Sequence, residues 1–195
     1  LIAALFVKKD GAYWDIPEID PWDESRDARL YDGPHPVVAH PPCSRWCRLA
    51  GLVEARWGHK KGEDDGCFES ALDSVRKWGG VLEHPAYSDA WAAFGLNRPP
   101  NTGGWVNADF EGGWTCYVEQ WRYGHRAKKP TWLYAKDVET PSLKWGLMLD
   151  RECEALVSWC GNHVSSDEVR PRLGHNEAIS TPVEFRDMLI GIAQS

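Results

Sequence analysis

The residues of this chain best suited to chemistry are a thiol and a carboxylate, each at the end of a short apolar run. In Val37-Val38-Ala39-His40-Pro41-Pro42-Cys43 a strand-like segment breaks at two prolines and presents Cys43 beyond its carboxyl end. Later, Gly79-Gly80 leads into Val81-Leu82-Glu83-His84-Pro85, which sets an acid and an imidazole at the end of a second run. In α/β sheets, ligands bind outside the carboxyl ends of the strands. A proline-locked thiol suits a nucleophile, and Arg45 and Arg48 are expected to lower its pKa. Glu83, on an otherwise apolar strand, is costly to bury unless it is paired or functional. A structural cysteine and a structural ion pair are the alternatives for these two residues. His84, beside a proline, reads more simply as a hydrogen-bonding turn residue than as a catalyst.

A third constellation is Gln120-Trp121-Arg122-Tyr123-Gly124-His125-Arg126-Ala127-Lys128-Lys129-Pro130-Thr131-Trp132. Cationic side chains interleaved with aromatics suit phosphate contacts beside stacked bases. Arg45, Gln120, Arg122, His125, Lys128 and Lys129 are therefore expected to face nucleic acid or nucleotide; a solvated basic loop is the alternative. His40, Cys43 and Cys47 also place metal-ligand types close together, but Cys-x3-Cys lacks a second cysteine pair, so a zinc site is the weaker reading and no metal ligand is assigned. A zinc deaminase needs His-x-Glu before its cysteines, and that element is missing.

Several elements must position these groups. Leu1–Val7 reads as a buried strand at the sheet centre, residues 12–35 as irregular with at most a short element near Arg26–Tyr31, and Pro36–His40 as a second buried strand. Asp64–Trp78 carries apolar residues at Phe68, Ala71, Leu72, Val75 and Trp78, the spacing of one helical face, with Gly79 as its stop. Ser88 is the expected cap of a short helix ending near Gly95, and 97–113 reads as a loop. Trp114–Gln120 and Thr131–Ala135 predict a hairpin or two neighbouring strands. Residues 136–175 are mixed; Thr181-Pro182-Val183-Glu184 reads as a capping box opening a final helix with Phe185, Met188, Leu189 and Ile192 on its apolar face. The fold class that follows is a single α/β domain over 1–195, a mostly parallel central sheet with helices on both faces.

The 195 residues, 43% of them hydrophobic, suffice for one core. A formal charge of −7 argues against a whole surface devoted to duplex DNA, which requires clustered Lys and Arg. Six widely spaced cysteines, with no apolar run of membrane length and no secretory leader, suggest reduced thiols in a cytoplasm. The sequence opens at Leu1 inside an apolar run, so a residue or two is expected upstream. The 12 tryptophans exceed ordinary usage; most are expected in packing, with some left to stack on bases.

In order along the chain, Pro-Pro-Cys after a strand, a Glu ending a later strand, a Gln- and Arg-rich segment opening another, and Gly174-His175-Asn176 before a Thr-Pro helix entry resemble the catalytic core of the C5 cytosine DNA methyltransferases. The resemblance implies a truncated methyltransferase-like, Rossmann-like fold, with Cys43 adding to C6 of a cytosine in phage DNA or in a nucleotide. It makes Glu83 the hydrogen-bond partner of N3 and the amino group, and Arg126 or Lys128 the base-side cation. It also implies S-adenosylmethionine as cofactor, with Phe6, Asp20, Pro42 and Asn176 at its site. Over nearly its whole length the chain also resembles a group of small phage and prophage proteins, through Val-Val-Ala-His-Pro-Pro-Cys, Gly-Gly-Val-Leu-Glu-His-Pro and Gly-His-Arg-Ala-x-Lys-Pro-Thr-Trp-Leu-Tyr; a bacterial host cytoplasm is then implied.

Departures from the methyltransferase pattern are also visible. Phe6-Val7-Lys8-Lys9-Asp10-Gly11 has one glycine where the family has a Gly-rich turn, His-Pro follows Glu83 in place of Asn-Val, and no long segment for reading DNA sequence precedes the final helix. These point to a base read with little sequence preference, or to a mononucleotide. A cofactor-less binding module, acting as a decoy or anti-restriction factor on DNA or protein, is the second expectation.

Overall fold

The computed structural model describes residues 1–47, 50–147, 153–157 and 170–195. Its strands are β1 (Ile2–Leu5), β2 (Ile19–Trp22), β3 (Val37–Ala39), β4 (Gly80–Pro85), β5 (Val106–Asn107), β6 (Trp114–Glu119) and β7 (Pro130–Lys136). Its helices are α1 (Ala50–Trp57), α2 (Cys67–Trp78), α3 (Asp89–Ala93), α4 (His175–Ile179) and α5 (Val183–Ala193).

One sheet of 7 strands runs in the order β2-β1-β3-β4-β7-β6-β5. β2, β1, β3 and β4 are mutually parallel. The pairs β4–β7, β7–β6 and β6–β5 are antiparallel. The fold is thus α/β, but the sheet is mixed rather than mostly parallel: the segment after Pro130 returns as the second arm of a hairpin, and a hairpin arm can only be antiparallel to the first. β4, not β1, occupies the middle of the sheet.

Helices cover both faces. On one face, α2 packs Phe68, Ala71, Leu72 and Val75 against Ala3, Leu5, Val37, Ala39 and Leu82. On the other, α5 packs Phe185, Leu189 and Ile192 against Ile2, Ala4, Val38 and Val81. The strand residues alternate between the two cores, as the period-2 geometry of a strand requires.

α2 ends where Gly79 N–H bonds to the Val75 carbonyl at 3.0 Å. Gly80 follows at φ 117°, and a Cβ built there would lie 2.0 Å from the Val37 carbonyl oxygen. Only glycine lets β4 approach β3 this closely. Ser88 caps α3 through the Ala90 N–H, as its sequence position suggests.

Two local expectations differ from the structure, and one helix lies where no element is expected. α5 starts at Val183 with Pro182 as its cap and no side-chain cap hydrogen bond, so the Thr181–Glu184 box does not form. α1 escapes a periodicity reading because Gly51, Leu52, Glu54, Ala55, Arg56 and Trp57 are all exposed. The loop expected over 97–113 contains β5 as a two-residue edge strand. Among the described residues no helix is long and apolar enough to cross a membrane.

Candidate functional site

The parallel half of the sheet changes direction of growth between β1 and β3: the chain moves outward from β1 to β2, then crosses to β3 on the other side. Ligands of open α/β sheets bind in the crevice outside the carboxyl ends of the strands at such a switch point. Phe6 follows β1 there, and His40-Pro41-Pro42-Cys43 follow β3.

The Cys43 loop is firmly anchored. His40 N–H bonds to the Leu5 carbonyl at 3.0 Å, tying the end of β3 to β1. The Cys43 carbonyl accepts from the amides of Trp46 at 3.0 Å and Cys47 at 2.9 Å, closing one helical turn. Trp46 is buried, and its indole N–H donates to Asp64 Oδ2 at 2.7 Å. The same oxygen accepts from the Phe68 N–H at the start of α2, at 2.8 Å.

Glu83 arrives from β4. Extending the β3–β4 register, Val38↔Val81 and Ala39↔Leu82, sets His40 opposite Glu83. His40 Nδ1 lies 3.1 Å from Glu83 Oε2, with both side chains nearly buried at 13% and 12% exposure. The other His40 nitrogen, Nε2, lies 2.7 Å from the Tyr13 hydroxyl, which enters from the β1–β2 connection. Glu83 Oε1 accepts from Gln120 Nε2 at 3.0 Å, and the same amide nitrogen donates to Thr131 Oγ1 at 3.0 Å. A continuous polar chain, Tyr13–His40–Glu83–Gln120–Thr131, therefore runs along the carboxyl edge on the α5 side.

The electrostatics follow from this packing. Burial raises the Glu83 carboxyl, but the hydrogen bond from His40, the His40 charge and Lys129 outweigh it and hold the group below the usual carboxylate range. The Cys43 thiol is pushed up to about 12 by burial first, then by the Glu83 carboxylate and Cys47, with Lys129 opposing. This corrects the expectation that Arg45 would activate the thiol: desolvation and a neighbouring anion dominate. Arg48 lies outside the described residues. Cys43 and Glu83 thus share one electrostatic environment, and the thiol rests protonated.

The opposite side of the same edge is aromatic. His84, adjacent to Glu83, is fully buried. Its ring meets Phe68 edge-on at 5.1 Å and stacks on Trp91 at 6.3 Å. Burial drives its pKa down to about 4, against the pulls of Glu83 and the Pro42 carbonyl. Among the described residues neither ring nitrogen makes a hydrogen bond of full geometry, and the Pro42 carbonyl supplies only a weak backbone pull. The expected hydrogen-bonding turn residue is instead a neutral core residue.

The remaining sequence candidates separate. Cys43, Glu83, Gln120 and Lys129 converge on the edge. Lys129 Nζ also donates to the Ser180 carbonyl at 2.8 Å. Lys128 pairs with the buried Glu119 at 3.4 Å. Arg126 is bound between Glu154 at 3.2 Å and Glu177 at 2.8 Å. His125 is buried, with Nδ1 2.9 Å from the Ala127 carbonyl oxygen and accepting from the Ala127 N–H at 3.0 Å. Arg122 is half-buried, and among the described residues its buried Nε has no hydrogen-bond partner. Arg45 is half-buried in the Cys43 turn.

Of the residues assigned to a cofactor, Pro42 and Asn176 are exposed. Phe6 takes φ 58°, a left-handed conformation without glycine. Asp20 lies in β2 with Oδ1 on Arg26 at 2.5 Å and Oδ2 on the Trp22 indole at 2.8 Å. Among the described residues, no group of three or more His, Cys, Asp or Glu is arranged to hold a metal ion.

Tyr13 and the pairing of His40 with Glu83 are the site features that motif reading misses. Strand parity could have exposed the second: positions 38, 40, 81 and 83 fall on one face once the two strands are placed side by side. Comparison with protein-family models, with curated proteins and with solved structures yields no match.

Proposed function

We propose that this chain is a pyrimidine-modifying enzyme of the kind its motifs resemble, with Cys43 adding to C6 of cytosine in DNA or in a nucleotide and Glu83 serving the ring nitrogen. The observation that carries this reading is geometric: the β3–β4 register and the 3.1 Å contact of His40 Nδ1 with Glu83 Oε2 hold the carboxylate at the edge where the Cys43 loop leaves β3, and its charge adds to burial in raising the thiol. The parallel strands β2-β1-β3-β4, continued by antiparallel β7 and flanked by helices, are in keeping with a truncated methyltransferase-like arrangement.

The chemistry is self-consistent. A thiol held near 12 needs a base when it reacts, and Glu83 is the carboxylate whose pull on it is felt. The Cys43 proton passes to the Glu83 carboxylate as sulfur bonds to C6. The C5–C6 π pair moves toward N3, and N3 takes the proton from Glu83. The result is an enamine whose C5 is nucleophilic, with Glu83 returned to its anionic form. Capture of a solvent proton at C5, followed by loss of a C5 proton, return of the N3 proton to Glu83 and expulsion of the thiolate, exchanges hydrogen at C5, and Glu83 gives the proton back to Cys43.

The residues expected at the S-adenosylmethionine site do not fit it as they stand. Both Asp20 oxygens are engaged, and the turn after β1 carries Phe6 at positive φ rather than a run of small residues. Addition of Cys43 to C6 needs no such group. The same observation favours the second reading, a binding module that has lost its cofactor. Thermal unfolding with saturating S-adenosylmethionine tests the cofactor alone, since a ligand at about 100 times its Kd raises stability by about 2.7 kcal/mol; covalent capture at Cys43 is what separates the enzyme from the module.

The direct test is incubation with a 5-fluorocytosine oligonucleotide and with the corresponding nucleotide, followed by intact-mass measurement. A covalent adduct that disappears in Cys43→Ala is expected. Absence of an adduct on both substrates, together with absence of C5 hydrogen exchange, overturns the enzymatic reading.

A further inference from the structure

We propose that His40, locked by Tyr13, is the positioning residue of the site, fixing the Glu83 carboxylate as the base of the thiol addition. This rests on the reading of Cys43 and Glu83 given above and names a residue that reading leaves without a role.

The argument begins with hydrogen-bond inventory. In a neutral imidazole one nitrogen donates and the other accepts, and the partners decide which. Glu83 is an acceptor when ionised, so the proton belongs on Nδ1, 3.1 Å from Oε2. Nε2 then accepts from the Tyr13 hydroxyl, which is buried and 2.7 Å away. One tautomer satisfies all three groups. The reverse tautomer sets a bare Nδ1 lone pair against the carboxylate. With Gln120 on Oε1, the carboxylate is gripped from both sides, and its orientation is fixed relative to the Cys43 loop. A carboxylate held this way keeps its remaining lone pairs in one direction, as a base at a fixed sulfur requires.

Several charged or titratable groups face this chain. Tyr13 comes from the β1–β2 connection, Cys43 and Cys47 from the loop after β3, His84 from β4, Lys129 from the start of β7, and Arg186 and Asp187 from α5. His40 meets Glu83 Oε2 directly, at 3.1 Å. That bond is the first of the effects that oppose burial at Glu83. Its removal therefore moves the Glu83 midpoint upward.

The experiment pairs two readouts. The Glu83 midpoint is followed by carboxyl carbon NMR across pH, and C5 hydrogen exchange of the cytosine nucleotide is followed over the same range. In His40→Leu the midpoint is expected to rise by about one pH unit or more. The acid limb of the exchange profile should rise with it, and the rate near neutrality should fall about 100-fold. His40→Asn, whose amide nitrogen stands close to Nδ1, should bring the midpoint and the acid limb back toward the wild-type protein. Tyr13→Phe, a milder change that keeps the test open if His40→Leu does not fold, should weaken the tautomer preference and give a smaller upward move. A Glu83 midpoint unchanged in both His40→Leu and Tyr13→Phe overturns the proposal, whatever the activity. A midpoint that moves as expected in the variants, while the wild-type protein shows neither exchange nor adduct, overturns instead the enzymatic reading, and with it the consequence of His40's positioning for catalysis.

Discussion

Glu83 and His84 are neighbours on β4, yet they face two different worlds. On the α5 side of the sheet edge, Tyr13, His40, Glu83 and Gln120 form a chain in which every link is a hydrogen bond. On the α2 side His84 stands among Phe68, Trp91 and Trp132, and among the described residues neither its nitrogens nor the indole N–H of Trp132 make a hydrogen bond of full geometry. The same edge thus carries one layer where a charge is supported and one where a charge is refused. A residue of titratable type is therefore no guide to chemistry until its face is known: His40, on the supported face, is the better candidate, although His84 is the one beside the acid in sequence.

The comparison can be broken at several points. The largest effect is expected on the aromatic face: Trp91→Ala empties the space beside His84 and should cost about 3–5 kcal/mol in urea unfolding. Any folded fraction should keep the Glu83 titration of the wild-type protein, and a coupled change would show that the two faces are not independent. The next effect concerns pH. The unfolded chain binds a proton at His84 near pH 6.5 that the native ring refuses until about 4. Stability should therefore fall as pH drops through that window, by about 3 kcal/mol when the titration is complete. His84→Leu should flatten this slope while retaining Cys43 reactivity, and a slope that survives would place the acid-sensitive group elsewhere. The smallest stability change is expected for Gln120→Met, which removes the donor to Glu83 Oε1 and Thr131. It should cost about 1–3 kcal/mol in chemical unfolding while slowing C5 exchange about tenfold or more. Exchange at the wild-type rate would show that the grip on Oε1 is dispensable.

Much of this arrangement is legible in the sequence, for physical reasons that differ from place to place. β1, β3 and β4 announce themselves as short apolar runs because both faces of each are covered. α2 is legible because one face alone is buried, which leaves a 3.6-residue period. α1 is not, because its residues other than Ala50 and the undescribed Val53 side chain face solvent and no period survives. The mixed order of the sheet is hidden because strand order is decided by which edges meet, not by any one strand's composition. At the site, Cys43 and Glu83 could be picked out as chemistry at strand ends. Their controls could not: Tyr13 lies in an irregular segment, and the grip of His40 on Glu83 depends on register between segments 43 positions apart. Arg126 illustrates the converse, a cation chosen for its neighbours in sequence but tied in the fold to Glu154 and Glu177.

The resting sulfhydryl has a practical corollary. With burial and the Glu83 carboxylate both holding its midpoint up, the sulfur stays a thiol at neutral pH, the form that alkylating reagents and peroxides attack slowly. Under the proposed reading the anion forms only as Glu83 takes the proton with a ring in place, so the resting group is protected.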